Sequence, residues 1–284
     1  MIKKVSISIL CVALLVSLSS TAIAEMKKDK SKDELVFGIL PFLSPVALLK
    51  RFSPLKEYLE KTTGKKIIIE SAPSFPEYIK RTLNHEYDLV YTAPHFVPKT
   101  MEDKHYQLLA ASNNISAHII VKESSGIKNL KQLAGKRIAH GPEKAFLVII
   151  GKYLLKQMGV EGDQAPVFIA HKSHNAALRA TAAGDADAAI VGTFMLKRAA
   201  KDGLKEISAT PRYPGIGILA SKEVPQALQN EIAQAFIDIK KSAEGRDTLK
   251  KIRFPGFKKT IAADYESVKP IAADAFDASK FKKN

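Results

Sequence analysis

YDLVYTAP (residues 87–94) and ADAAIVGT (186–193) are the two stretches on which the fold turns. Each places an Asp (Asp88, Asp187) before a short apolar run and a Thr (Thr92, Thr193) just past it. Each follows a helical pattern that closes into a polar bend, Asn84-His85-Glu86 in the first and Ala183-Gly184-Asp185 in the second. The likeness extends upstream. Residues 35–94 read strand, helix, strand, helix, strand, and residues 136–193 read the same way. Such alternation predicts an α/β chain with parallel sheets wound by right-handed crossovers. One α/β unit written twice predicts two lobes facing each other across a cleft.

Local signals punctuate both copies. In the first, a strand at 35–40 leads to Ser44-Pro45 and then Ser53-Pro54. Each pair reads as a helix start, with Ser as the cap and Pro at the first helical position. Gly64 stops the second helix, and a strand follows at 66–70. Ser74 with Glu77 has capping-box spacing for the next helix, and the third strand is 89–91. Two strand-like runs, 106–111 and 115–121, separate the copies. In the second copy the strands are 137–139, 167–170 and 188–191, with helices at 143–158 and from Ser173 or His174 to Gly184. A helix from Thr193, an extended run at 206–209 and a strand at 216–221 follow. Helices from Val224-Pro225 to about 242, near 245–252 and from Asp264 complete the chain. If the runs at 115–121 and 216–221 cross between lobes, the second copy is an insertion. The expected division is then residues 33–118 plus 217–284 for the first lobe and 119–216 for the second, with hinges near 116–122 and 214–220.

The first 24 residues read as a cleavable signal peptide. Lys3 and Lys4 precede a mostly apolar run over 5–18, too short to span a bilayer, and Ala22-Ile23-Ala24 is a small-residue cleavage site. Cleavage is expected near Ala24/Glu25 and the location is expected to be the periplasm. The single cysteine, Cys11, lies in that run, and Leu10 before it is too large for a lipoprotein processing site. The mature chain therefore has no disulfide and must fold on its core alone. It keeps 42 basic residues against 29 acidic ones. That field favours a small anionic solute. Export argues against nucleic acid, and a monomer is expected.

In open α/β sheets, ligands bind beyond the carboxyl ends of the strands, where helix amino termini converge with unpaired N–H groups. That rule alone selects Phe42, Ser44, Ser74, Phe75, Tyr91 and Thr92 in the first copy. In the second it selects His140, Lys144, Phe146, Ser173, His174 and Thr193. Each helix terminus contributes roughly 0.3–1 kcal/mol to an anion. Thr92 and Thr193 match across the repeat. His140 and His174 can donate to an oxyanion or serve as caps. Tyr91 either stacks on the ligand or alternates into the core, and Phe146 is either pocket wall or helix core. Asp88 and Asp187 sit at the opposite strand ends and read as structural. There is no HExxH motif, no usable cysteine, and His171 precedes the helix that His174 opens, so neither metal nor cofactor is expected. No GxSxG or nucleophile turn occurs, and no catalysis is expected.

At this point the residues resemble a known family. The chain is similar to the periplasmic substrate-binding proteins of phosphonate, phosphite and phosphate ABC transporters. The matching segments run in family order: LVFGILPF (35–42), YLEKTTGKKI (58–67), YDLVYTAP (87–94), IKNLKQLAGKRIAHGP (127–142), SHNAALRATAAGDADAAIV (173–191) and YPGIGILASKEVPQ (213–226). The resemblance implies a type II periplasmic-binding-protein fold, two Rossmann-like lobes joined by two hinge strands. It implies a receptor that closes on a small anion and presents it to a membrane permease. The family's helix-start His falls on His174, its pocket residue after the third strand on Tyr91 or Thr92, and its polar residue after the first strand on Ser44. One departure stands out. Phosphonate binders carry a Ser/Thr-rich turn after the first strand of the second lobe; here it reads GPEKAFLV (141–148). Lys144 then compensates as a point charge, or the pocket takes a less polar ligand. Two other readings share the clamp: a sensing component for a membrane kinase or chemoreceptor, and a metal or haem carrier built on its histidines.

Overall fold

The computed structural model describes residues 33–275, so the segment read as a signal peptide lies outside the described residues. The first copy forms β1 (Glu34–Ile39), α1 (Pro45–Thr63), β2 (Lys66–Glu70), α2 (Phe75–Leu83) and β3 (Leu89–Thr92). A 3₁₀ turn (Pro94–Phe96) leads to α3 (Val97–Thr100), β4 (Tyr106–Ser112) and β5 (Ala117–Lys122). The second copy forms β6 (Arg137–His140), α4 (Phe146–Gln157), β7 (Val167–Ala170), α5 (His174–Ala183) and β8 (Ala188–Gly192). Then come α6 (Leu196–Lys201), β9 (Leu204–Ala209), β10 (Gly217–Ser221), α7 (Gln226–Asp238), α8 (Ala243–Ile252), β11 (Phe257–Lys258) and α9 (Lys269–Ala275).

Two sheets result, ordered β11-β4-β10-β3-β1-β2 and β7-β6-β8-β5-β9. The copies supply equivalent parallel triplets, β2-β1-β3 and β7-β6-β8. Each triplet is extended by an antiparallel strand from outside the copy, β10 against β3 and β5 against β8. The two Asp residues do the same work in each. Asp88 accepts the Val36 N–H at 2.7 Å and Asp187 accepts the Arg137 N–H at 2.8 Å. Each carboxylate thus ties the start of the last strand of a triplet to the start of its first, at the end opposite the predicted cleft.

Three local expectations are corrected. Ser53-Pro54 does not open a helix: α1 runs straight through, and the Ser53 hydroxyl donates back to Leu49 O at 2.8 Å. A helix-interior proline costs about 3 kcal/mol. Leu48, Phe52, Leu55 and Leu59 form one continuous buried face at roughly 1.5–3 kcal/mol each, which outweighs it. The helix expected from residue 143 begins at Phe146, because a turn closed by Ala145 N donating to Pro142 O occupies the preceding residues. The final helix is preceded by 3₁₀ turns over Ala262–Val268, capped by Asp264 accepting from Ile261 N and the Thr260 hydroxyl.

Two short crossings join the sheets and hydrogen-bond to each other. Ile115 and Tyr213 exchange both backbone bonds at 2.9 Å. Thr210 N donates to Ala117 O while Ala117 N donates to the Thr210 hydroxyl. On the other side, Ser112 N donates to Ile216 O, and Ile216 N to Ser112 Oγ. Gly215 is required here, since a Cβ would fall 2.0 Å from Ser112 Oγ. The strands β5 and β10 themselves each belong to one sheet, so residues 113–116 and 210–216 do the crossing. Both sheets bury side chains on both faces, as crossover-covered sheets must. One apolar cluster is continuous from α2 and β3 through Phe96 and Tyr213 to Phe146 and β8. The C-terminal segment seals it: α9 packs on both α4 and the Pro94–Phe96 turn, and Tyr265 Oη donates to Gly215 O at 2.9 Å.

Candidate functional site

The carboxyl ends of β1 and β3 present a wall that is half core. Phe42 turns back after β1, its N–H donating to Leu40 O, and its ring stacks on Tyr91 at 6.3 Å. Tyr91 is buried among Phe42, Phe52 and Phe254. Of its two readings, the structure places it in the core, because it registers with Ile39 and Ile218 on the face covered by α1. Thr92 alternates away from that face. Its hydroxyl is fully buried beside the Tyr78 phenol without a well-aligned hydrogen bond. Ser44 occupies the cap position of α1 but makes no cap hydrogen bond, which leaves its exposed hydroxyl for a ligand. Ser74 is already engaged, accepting from Glu77 N at 3.3 Å, and Phe75 packs on Phe96.

The corresponding ends of the second sheet carry histidines. His140 is buried at the end of β6, where Nδ1 donates to Gly141 O at 2.7 Å. Its Nε2 lies 3.2 Å from Glu143 Oε2 but out of hydrogen-bond alignment. Glu143 is otherwise paired with Lys152. The His174 ring lies flat on Gly141: a Cβ there would sit 2.4 Å from His174 Nδ1. His174 is the first residue of α5, positioned by Ser173, whose side chain accepts from Ala176 N at 3.2 Å. Its Nδ1 is buried without a partner. Burial, and then the neighbouring His140, hold the His174 imidazole below its ordinary value, and burial does the same to His140. Both rings are therefore neutral near pH 7.

Residues 141–148 lead into α4 without a hydroxyl side chain. Ala145 caps α4 without any side-chain hydrogen bond, so the first-turn amides have no capping partner from side chains. Phe146 is buried and stacks on His95 at 5.4 Å with planes 7° apart, and meets Tyr213 edge-on at 6.1 Å. Lys144 holds its ammonium 5.5 Å from the centre of the Phe75 ring. These two contacts bring second-lobe candidates directly against the first lobe. Burial pushes the His95 imidazole down to about 4.

Thr193 stands exposed beyond β8, and its Oγ1 lies 2.8 Å from His118 Nε2. His118 Nδ1 in turn lies 2.9 Å from Glu206 Oε2. Beside Thr193, Phe194 is 79% exposed and folds over Gly192. His95 and His118 entered the sequence reading only through the metal or haem alternative, Gly141 only as part of the 140–146 stretch, and Glu206 and Phe194 not as candidates at all. The signal for two of them was present: His118 and Glu206 are polar residues inside the strand runs AHIIV and KEIS. The arrangement offers hydroxyl, imidazole and amide groups between apolar walls, under a net positive field.

The sequence profile of the family described as ABC transporter, phosphonate, periplasmic substrate-binding protein matches residues 37–265. Among solved structures, PhnD1 from Prochlorococcus marinus in complex with methylphosphonate is similar, at 17% identity and a TM-score of 0.68, covering 86% of this chain and 99% of that one. A binding protein component of an ABC phosphonate transporter from Pseudomonas aeruginosa is similar at 16% identity and a TM-score of 0.61, over 85% and 86% of the two chains. A Xanthomonas citri protein bound to ATP reaches a TM-score of 0.69 at 13% identity, over 85% and 96%. At these identities the structural likeness speaks for the fold, and the profile match speaks for the family.

Proposed function

The chain belongs to the family of periplasmic substrate-binding proteins of phosphonate ABC transporters, and from that premise we propose that it captures a phosphonate-class oxyanion between its two sheets and delivers it to a membrane permease. The observation that supports this reading best is the set of buried polar atoms without partners at the carboxyl ends of both sheets. Thr92 Oγ1, His140 Nε2 and His174 Nδ1 are all shielded from solvent and unsatisfied. A buried polar group left unpaired costs about 1–3 kcal/mol. Three such groups at strand ends are best understood as part of a ligand site. Thr92, Ser44, the uncapped amides of α4 and Lys144 supply donors to the oxyanion, the buried His140 Nε2 is left to accept, and Phe42, Phe75 and Phe146 form walls.

In this reading the two lobes divide at the crossings, and closure is a hinge motion about residues 113–116 and 210–216. Ligand contacts to both lobes shift the open–closed equilibrium toward closed. The signal-like first 24 residues and the family support a periplasmic location, and in this reading the mature chain works there as a monomeric receptor without catalytic turnover. The test is native mass spectrometry of undialysed protein, followed by a thermal-shift panel of methylphosphonate, phosphite, phosphate, sulfate and small carboxylates. A retained phosphorus oxyanion, or a melting-temperature rise specific to phosphorus ligands, is expected. A flat panel with nothing retained overturns the reading.

A further inference from the structure

The hydrogen bonds around Thr193 have a direction, and the direction constrains the ligand. Glu206 is a carboxylate, an acceptor only. At 2.9 Å from His118 Nδ1 it fixes the neutral imidazole as the Nδ1–H tautomer. His118 Nε2 then carries a lone pair, so the Thr193 hydroxyl must donate its single proton to it across 2.8 Å. Thr193 at the end of β8 is exposed, yet its hydroxyl has no proton left to offer. Toward the cleft it presents lone pairs alone.

We infer that Thr193, held by His118 and Glu206, is a specificity-determining acceptor that selects a ligand carrying an N–H or O–H donor. This rests on the reading of the cleft as a phosphonate-class site. The adjacent strand repeats the polarity. His140 donates from Nδ1 to Gly141 O, which leaves its buried Nε2 as an acceptor without a partner. A bare alkylphosphonate dianion has acceptors only, and it would meet lone pairs at both strand ends. A donor satisfies them, whether it sits on the organic arm as an ammonium or hydroxyl or on phosphorus as P–OH. The position of the relay explains its parts. His118 lies on β5 between β8 and β9, and a register shift in the β5–β9 pairing accompanies Glu206 opposite Ile120. Its ring is buried while Thr193 faces solvent, so the relay acts on the cleft from behind.

Hydroxyl, imidazole and carboxylate in this order are also the parts of a nucleophile triad. The test therefore separates selection from catalysis and from a failure of the phosphonate reading. In the full purified protein, ¹⁵N NMR of the imidazoles without ligand reads the His118 tautomer. Nδ1–H is expected, and Nε2–H overturns the relay. Calorimetry then compares ethylphosphonate, 2-hydroxyethylphosphonate and 2-aminoethylphosphonate at a pH where each is a dianion at phosphorus, and again about two pH units lower, where P–OH forms. Thr193→Val is expected to weaken the arm-donor ligands about tenfold, the equivalent of one ordinary hydrogen bond, and ethylphosphonate less than twofold at the higher pH. If the donor is P–OH, the loss appears for all three ligands at the lower pH only. An equal loss for all three ligands at both pH values, or no loss for any of them, overturns the proposal. Wild-type protein that binds none of the three overturns the phosphonate reading instead, and the tautomer still decides the relay. Hydrolysis of p-nitrophenyl acetate lost in both Thr193→Val and His118→Gln would make the constellation catalytic and overturn selection.

Discussion

His95 shows how one buried side chain couples the site to solution conditions. It follows the YTAP stretch, stacks on Phe146 of the opposite lobe and is almost fully buried. Burial lowers its folded-state value from the ordinary 6.5 to about 4. The unfolded chain takes up a proton near 6.5, whereas the folded chain resists until about 4. The neutral ring's contribution to stability is therefore complete above 6.5 and is lost as pH falls through the window down to 4. Between pH 7 and 5 the expected loss is about 2 kcal/mol. Urea unfolding at the two pH values checks it. His95→Phe, which keeps the stack on Phe146, should shrink the difference by about that amount, the remainder belonging to His140 and His174. Since the stack joins the lobes, acid should also loosen their contact.

The strand pairs carry the repeat, and the two Asp residues show what it is for. Asp88 and Asp187 each accept one backbone N–H from the first strand of their triplet, at 2.7 and 2.8 Å. Asp187 also holds Arg137, whose presence with burial opposing keeps its carboxyl below the usual range. Hydrogen bonds to charged groups contribute about 1.5–3 kcal/mol. Asp88→Ala and Asp187→Ala are each expected to cost an amount near the lower end, measured by denaturant unfolding. Ligand affinity should be unchanged, because both lie at the far strand ends. This equivalence was readable from the matched Asp and Thr positions, as were Ser173 and Ser74 as helix caps and Gly64 and Gly184 as helix stops, because local chemistry sets them. The continuity of α1 through Pro54 was not readable, since it depends on a buried face that only packing provides. The orientation of Tyr91 was open for a related reason: period-two alternation says that faces alternate but not which face is covered. His118 and Glu206 lie 88 residues apart, and only the β5–β9 pairing brings them together.

The assembled chain is a clamp with more than a two-strand connection. The crossings are hydrogen-bonded side by side, an apolar cluster continues from one sheet to the other, and the C-terminal segment touches both α4 and the Pro94–Phe96 turn. The lobes meet through Lys144 on Phe75 and Phe146 on His95. The repeat that set the two sheets facing each other also sets their unsatisfied groups, Thr92 on one side and His140 and His174 on the other. Calorimetric titration of 2-aminoethylphosphonate, which carries both the oxyanion and a donor, into the purified protein tests this arrangement most directly. One site is expected, with a Kd near or below about 1 μM, corresponding to about −8 kcal/mol, and weakened at least about tenfold in His174→Ala. No saturable heat, or an unchanged Kd in both His174→Ala and Thr92→Val, would contradict the assignment of the cleft.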